Sequence, residues 1–213
     1  PQKCGSIAFW ISVSGTSEEE SFAYLLDRNL ELYGVAQQER DPLVGEWIRA
    51  TKCFLSGGKA GEYIRYSRNI RKNAFYREYF GPTSAALIRL LYKLYQNRYL
   101  KEPHVFDAET DLEIYVPDMA EILRAVKCPV LAIFGDHDTR VDWRKTMSLY
   151  ESAITAPLRV KLLKNVNHAM QACQTGSIPE EPRLAEASVD YYKTIESWMM
   201  DAVARNPVRP RSS

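Results

Sequence analysis

The sequence predicts an α/β fold: a short parallel sheet joined by helices, with a helical insertion after its first strand. Three observations carry that expectation. Ile7-Ala8-Phe9-Trp10-Ile11-Ser12-Val13 and Val130-Leu131-Ala132-Ile133-Phe134 are short, nearly unbroken apolar runs, the pattern of strands buried on both faces. Leu158-Arg159-Val160-Lys161-Leu162-Leu163 alternates apolar and charged residues, which suits a strand nearer the sheet edge. Helical patterns separate these runs, and strands alternating with helices pair in parallel through right-handed crossovers.

The first run ends at Ser14-Gly15-Thr16, and Ser17-Glu18-Glu19-Glu20 follows. Ser17 is the expected helix cap, with Glu20 reaching back and three acids at the positive end of the helix dipole. That helix should run to about Tyr33, with Gly34 as its stop. From Asp41 to Leu100 no strand pattern appears. Pro42 is expected near the first turn of a second helix, and Gly57-Gly58 breaks it. A third helix is expected over 60–72. Gly81-Pro82 interrupts again, and Thr83 or Ser84 starts a fourth. Pro117 is expected at the first position of a short helix reaching Val126. Further helices are expected over 143–154 and 189–204. The domain reading is a core of residues 1–16 and 101–205, a helical block over 17–100, and a mobile tail over 206–213.

The chain of 213 residues has a net charge of +1, so its overall field attracts neither nucleic acid nor an acidic membrane. No apolar run approaches the roughly 18 residues of a membrane helix, and no signal peptide is recognisable. Within the helical block, however, 12 basic residues lie between Arg49 and Lys101, opposed only by Glu62 and Glu78. Seven acids follow between Glu102 and Glu121. A solvated charged face accounts for this pattern, and a patch attracting an anionic substrate or partner is the alternative. The tyrosines of this block recur at helical spacing, which suits packing better than base stacking. Cys4, Cys53, Cys128 and Cys173 lie far apart, with no CxxC pair or Cys/His cluster. Reduced thiols, a cytoplasmic location and no structural zinc are expected.

The chemistry concentrates after the second and third strands. In parallel sheets, functional groups gather at the C-terminal strand ends. Asp138 follows 130–134 within Gly135-Asp136-His137-Asp138, and His168 follows 158–163 within Lys164-Asn165-Val166-Asn167-His168. Neighbouring strands lie about 4.8 Å apart, so the two loops can bring a carboxylate and an imidazole together. Such a carboxylate fixes the imidazole tautomer and stabilises the imidazolium formed on proton uptake. Asp136 or Asp142 could replace Asp138, and Asp138 could merely close a turn. His168 could be an ordinary loop histidine, while His104 and His137 lie elsewhere. A metal site of Asp136, His137 and Asp138 finds no second cluster to support it.

The segment Val126–Val141, with its Pro-Val-Leu strand followed by Gly135-Asp136-His137-Asp138-Thr139-Arg140-Val141, resembles the acid-bearing segment of α/β-hydrolases. Asn165-Val166-Asn167-His168 resembles that family's histidine loop, and 189–204 its terminal helix. The resemblance spans most of the chain and implies an α/β-hydrolase-type core limited to its C-terminal strands, with 17–100 as an inserted helical cap. It assigns Asp138 as the acid and His168 as the base of a Ser-His-Asp triad. The implied activity is cleavage of a carboxylic ester or small amide, without cofactor or metal.

One element of the pattern is missing. The family carries Gly-x-Ser-x-Gly on an earlier strand, and none occurs here. The chain also opens without Met, a few residues before a strand, so it is expected to be the back part of something larger. The nucleophile would then lie upstream or on a partner chain. Ser14, in Ser12-Val13-Ser14-Gly15-Thr16, is an internal substitute, although the three glutamates after it suit an exposed helix start rather than a buried one. The alternative from a different class is a catalytically inactive hydrolase-fold fragment serving as an interaction or scaffold module. Both readings expect the upstream half of the same fold, or a second copy, to cover the exposed sheet.

Overall fold

Buried apolar runs become strands here, and helices cover them on both sides. In the computed structural model, which describes residues 7–80, 84–100, 103–184 and 187–205, the elements in chain order are β1 (Trp10–Val13), α1 (Phe22–Leu32), α2 (Gln37–Leu55), α3 (Ala60–Tyr66), α4 (Ala74–Tyr79), α5 (Ala85–Tyr99), α6 (Met119–Arg124), β2 (Val130–Gly135), α7 (Trp143–Ala153), β3 (Leu158–Leu163) and α8 (Val189–Arg205). Single 3₁₀ turns occupy Ile70–Lys72 and Glu181–Arg183. The chain divides into two compact units, residues 1–17 with 118–213, and residues 18–117. No helix among the described residues is long and apolar enough to cross a membrane. Residues 206–213, Gly81-Pro82-Thr83 and Cys4 lie outside the described residues.

The first unit is a parallel sheet ordered β1-β2-β3, with Trp10 opposite Val130 and Leu158 opposite Val130 on its other side. Every residue of β2 is buried. Val130, Ala132 and Phe134 pack with Leu123, Trp143 and Tyr150 of α6 and α7. Leu131 and Ile133 point the other way, toward Trp198 of α8 and Met170. The period-2 alternation of a strand divides one apolar run between two cores. In β3, Arg159 and Lys161 stay exposed between buried or half-buried leucines and valine, as an edge strand requires. The α/β class and the parallel sheet agree with the sequence reading.

The second unit contains α1 to α5 and the segment through Pro117, beyond the boundary at Leu100 drawn from sequence. Residues 103–117 belong to it because Glu19 bridges Ile114, and Lys52 pairs with Asp111 and lies over the Phe106 ring. Three helix starts also differ from expectation. α1 begins at Phe22, and the Glu20 carboxylate rather than Ser17 accepts its first amides, Phe22 N at 2.5 Å and Ala23 N at 3.3 Å. α2 begins at Gln37, so Pro42 sits inside it. Arg40 anchors that first turn by donating to Asp27 at 2.8 Å and to the Val35 carbonyl at 3.2 Å. α6 begins at Met119, with Asp118 rather than Pro117 as its flanking residue. The helix expected over 60–72 stops at Tyr66. Glu46 of α2 accepts the amides of Asn69 and Ile70 at 2.8 and 3.0 Å, which a continuous helix would have used internally.

Gly135 ends β2 where the histidine loop crosses closest. A Cβ there would stand 2.2 Å from the Val166 carbonyl oxygen, which is backbone and cannot swing aside. We predict that Gly135→Ala destabilises the chain by on the order of 3 kcal/mol. The control Gly61→Ala in α3, with nothing within 4 Å of its added methyl, should be neutral or stabilising by about 0.5–1 kcal/mol. Urea midpoints of the two variants check this, and equal midpoints would count against the tight approach.

Candidate active site

Asp138 and His168 meet at the C-terminal ends of β2 and β3. The two strands are parallel neighbours in register up to Gly135 and Leu163, so the loops leaving them share one rim. His168 Nδ1 lies 2.9 Å from Asp138 Oδ2. The Asp138 side chain is fully buried, whereas that of His168 is 35% exposed. A buried carboxylate needs donors on both oxygens, and Asp138 Oδ1 accepts the amides of Arg140 at 2.8 Å and Val141 at 3.0 Å. These bonds fix the carboxylate plane and leave Oδ2 aimed at the ring. A carboxylate accepts, so Nδ1 carries the proton. Nε2 has no hydrogen-bond partner among the described residues and is the nitrogen open to chemistry.

Each loop is held by backbone bonds to the other. The His137 amide donates to the Val166 carbonyl at 3.0 Å, and the Asp136 amide donates to the Leu163 carbonyl at 3.0 Å. Beyond the histidine, Asn167 Oδ1 accepts the Gln171 amide at 2.9 Å, and the Asn167 amide donates to the Gln171 carbonyl at 3.0 Å. Asn165 and Met170 adopt positive φ, of 55° and 60°, to make this tight reversal. His168 is thus presented from a closed loop rather than a free one.

The other residues weighed from sequence have different partners. Asp136 Oδ1 accepts the Val166 amide at 3.4 Å, and Asp142 caps α7 by accepting the amides of Arg144 and Lys145. His104, in the second unit, lies 2.5 Å from Glu113. His137 Nδ1 lies 3.8 Å from Cys173 Sγ. Burial, with Glu180 and Asp136 adding to it, pushes the Cys173 thiol up to about 11, so this pair is not a thiolate nucleophile at neutral pH. Among the described residues, no three His, Cys, Asp or Glu side chains group as metal ligands. Cys53, Cys128 and Cys173 are free thiols.

Ser14 has a role the sequence did not reveal. Its hydroxyl donates to the main-chain carbonyl of His168 at 2.7 Å, rather than to the ring. It sits in the left-handed region at φ 47°, just past the end of β1. Its position at a strand end was the available signal; the partner was not. No described hydroxyl or thiol hydrogen-bonds His168 Nε2.

A second loop supports the acid turn. Thr139 Oγ1 donates to the Gly176 carbonyl at 2.7 Å, and Arg140 clasps both Glu181 oxygens at 2.9 and 2.5 Å. Gly176 has φ 70°, and a Cβ there would fall 1.9 Å from the His137 carbonyl. Glu180 organises this loop. Burial pushes its carboxyl up, but the amides of Gln174, Thr175 and Gly176 and the Thr175 hydroxyl outweigh that and hold it down at about 2.

The fold and site define an α/β protein with a buried carboxylate orienting a half-exposed imidazole at the strand ends of a parallel sheet. No family model matches the chain, and no curated protein matches it. Among solved structures, the crystal structure of VinJ is similar to it at a TM-score of 0.42 and 12% identity, over 95% of this chain and 60% of that one. The chain therefore spans about 60% of the length of that similar structure.

Two outcomes follow from this geometry. In ¹⁵N-resolved NMR spectra, neutral His168 should carry its proton on Nδ1, and Asp138→Asn should lose that preference because an amide can present a donor. A native ring protonated only on Nε2 would rule the arrangement out. Glu180 has a folded pKa below its ordinary 4.5, so its contribution is present above that value and lost as pH falls toward about 2. Glu180→Gln should therefore flatten the dependence of stability on pH within that window. Acid unfolding curves check this.

Proposed function

We propose that this chain carries the acid–base half of a serine hydrolase of the α/β-hydrolase type, acting on a carboxylic ester or small amide. The nucleophilic serine is supplied by residues outside these 213, His168 performs proton transfer, and Asp138 orients its ring and stabilises the charge that forms on it. One observation supports the reading above the others: the 2.9 Å contact between a buried carboxylate, saturated on its second oxygen, and an imidazole whose Nε2 is unused.

The chemistry follows from that contact. As the serine oxygen attacks the substrate carbonyl, its proton passes to His168 Nε2. The imidazolium is stabilised through Nδ1–H by Asp138. The same proton then passes to the leaving alkoxide or amine, and an acyl-enzyme forms. Water repeats the cycle: it gives a proton to Nε2 as it attacks, and the serine recovers that proton when the acid departs. Asp138 stays ionised throughout and acts by orienting and by charge.

The interaction-module reading is favoured by a different feature. β1 pairs with β2 along one edge and stands at the end of the described sheet, and an unpaired strand edge is a template for another chain. The upstream half of the same fold, or a second copy, would satisfy it under either reading.

The chain alone should leave p-nitrophenyl esters at their background rate. Supplying the upstream half in the same polypeptide should produce turnover, and His168→Ala should then lower kcat by about 10³-fold or more. Ester turnover by the chain alone that Ser14→Ala abolishes, or an unchanged rate after His168→Ala in the longer protein, would overturn the proposal.

A further inference from the structure

The second unit holds two adjoining pockets of opposite character, and one residue lines both. The larger is a cavity of about 830 Å³ walled by rings, among them Trp47, Tyr63, Tyr76, Phe80 and Tyr92. That volume is in the range of sites for small organic ligands. The Trp47 indole N–H within its wall is buried and has no acceptor among the described residues. A buried donor left without a partner is costly, and a ligand oxygen would satisfy it. The smaller pocket, of about 390 Å³, is lined by Arg68, Arg71, Lys72 and Arg77.

Arg71 belongs to both walls. Its guanidinium is held in place by donating to Ser67 Oγ and to the Ile64 carbonyl, each at 3.1 Å. Arg68, Lys72 and Arg77 are exposed and make no ion pair with any described acid. Glu46 binds the Asn69 side chain and the amides of Asn69 and Ile70 nearby, so its carboxylate builds the turn, and it makes no ion pair with Arg68, Lys72 or Arg77. The sequence already showed this imbalance, with 12 basic residues against two acids between Arg49 and Lys101.

We infer that residues 18–117 form a binding site for an amphiphilic organic phosphate. A flat ring body carrying an oxygen that accepts from the Trp47 N–H occupies the ring-lined cavity, and a phosphoryl head sits among Arg68, Arg71, Lys72 and Arg77. Four cations exceed what a single carboxylate neutralises, and guanidinium forks match phosphoryl oxygens in pairs. The cavity supplies affinity for the body through apolar contact, while the cations select the head. This inference does not rest on Asp138 and His168, so it and the hydrolytic reading stand or fall separately.

Isothermal titration of the full chain with 2-naphthyl phosphate, 2-naphthol and inorganic phosphate tests it. 2-Naphthyl phosphate should bind at least about tenfold more tightly than either part alone, and only its binding and that of phosphate should weaken as salt rises. The triple variant Arg68→Ala/Lys72→Ala/Arg77→Ala should lose this advantage while binding 2-naphthol as before. Trp47→Phe should weaken the two naphthyl compounds but not inorganic phosphate. Equal affinity for 2-naphthol and its phosphate, a salt-independent affinity, inorganic phosphate binding as tightly as the ester, or a triple variant that keeps the preference would each overturn the inference.

Discussion

Two backbone segments approach so closely at the rim of the sheet that no side chain fits between them. The Gly135 backbone lies under the Val166 carbonyl, and that same carbonyl accepts the His137 amide. This contact sets the distance between the loop bearing the carboxylate and the loop bearing the imidazole. The side-chain bond between Asp138 and His168 is then a consequence of main-chain geometry rather than its cause. Under the hydrolytic reading proposed above, such preorganisation would matter for proton transfer, because misplacement of an acid–base group by about 1 Å can cost two orders of magnitude in rate.

Burial divides the labour between the two groups. Asp138 is sealed and bonded on both oxygens, so it can orient the imidazole and stabilise charge on it but does not itself face outward. His168 is partly open, with one nitrogen fixed and the other available. Around them, Arg140 and Thr139 hold a second loop against the Asp138 turn through their bonds to Glu181 and the Gly176 carbonyl, and Glu180 organises that loop from within. These outer bonds act on the site only through the backbone they restrain.

Much of this was legible from residue order, and the reason is local. The run 130–134 could be read as a doubly buried strand because apolar side chains are needed on both of its faces, and Gly135 marks its end. The position of Asp138 and His168 just past neighbouring strand ends then followed from parallel topology. One miss was local: Glu20, two residues before Phe22, rather than Ser17 caps α1. The others were decided by partners far away in sequence. Glu46 of one helix ends another by taking its amides, so 60–72 is broken into a helix and a turn. The attachment of 103–117 to the second unit rests on contacts with Glu19 and Lys52, neither of which has a local signature. Ser14 was visible as a serine at a strand end, but its acceptor is more than 150 positions away.

The tether from Ser14 restricts which amino acids can occupy that site. The backbone there is left-handed, which penalises β-branched and bulky residues, and the carbonyl of His168 asks for a short donor. Glycine would suit the dihedral angles but leave the carbonyl unanswered. Threonine could answer it only under strain. Serine meets both demands, and asparagine, with an amide donor and tolerance of these angles, is the other fit, so the end of the first strand and the imidazole loop are coupled through a position with little freedom to vary.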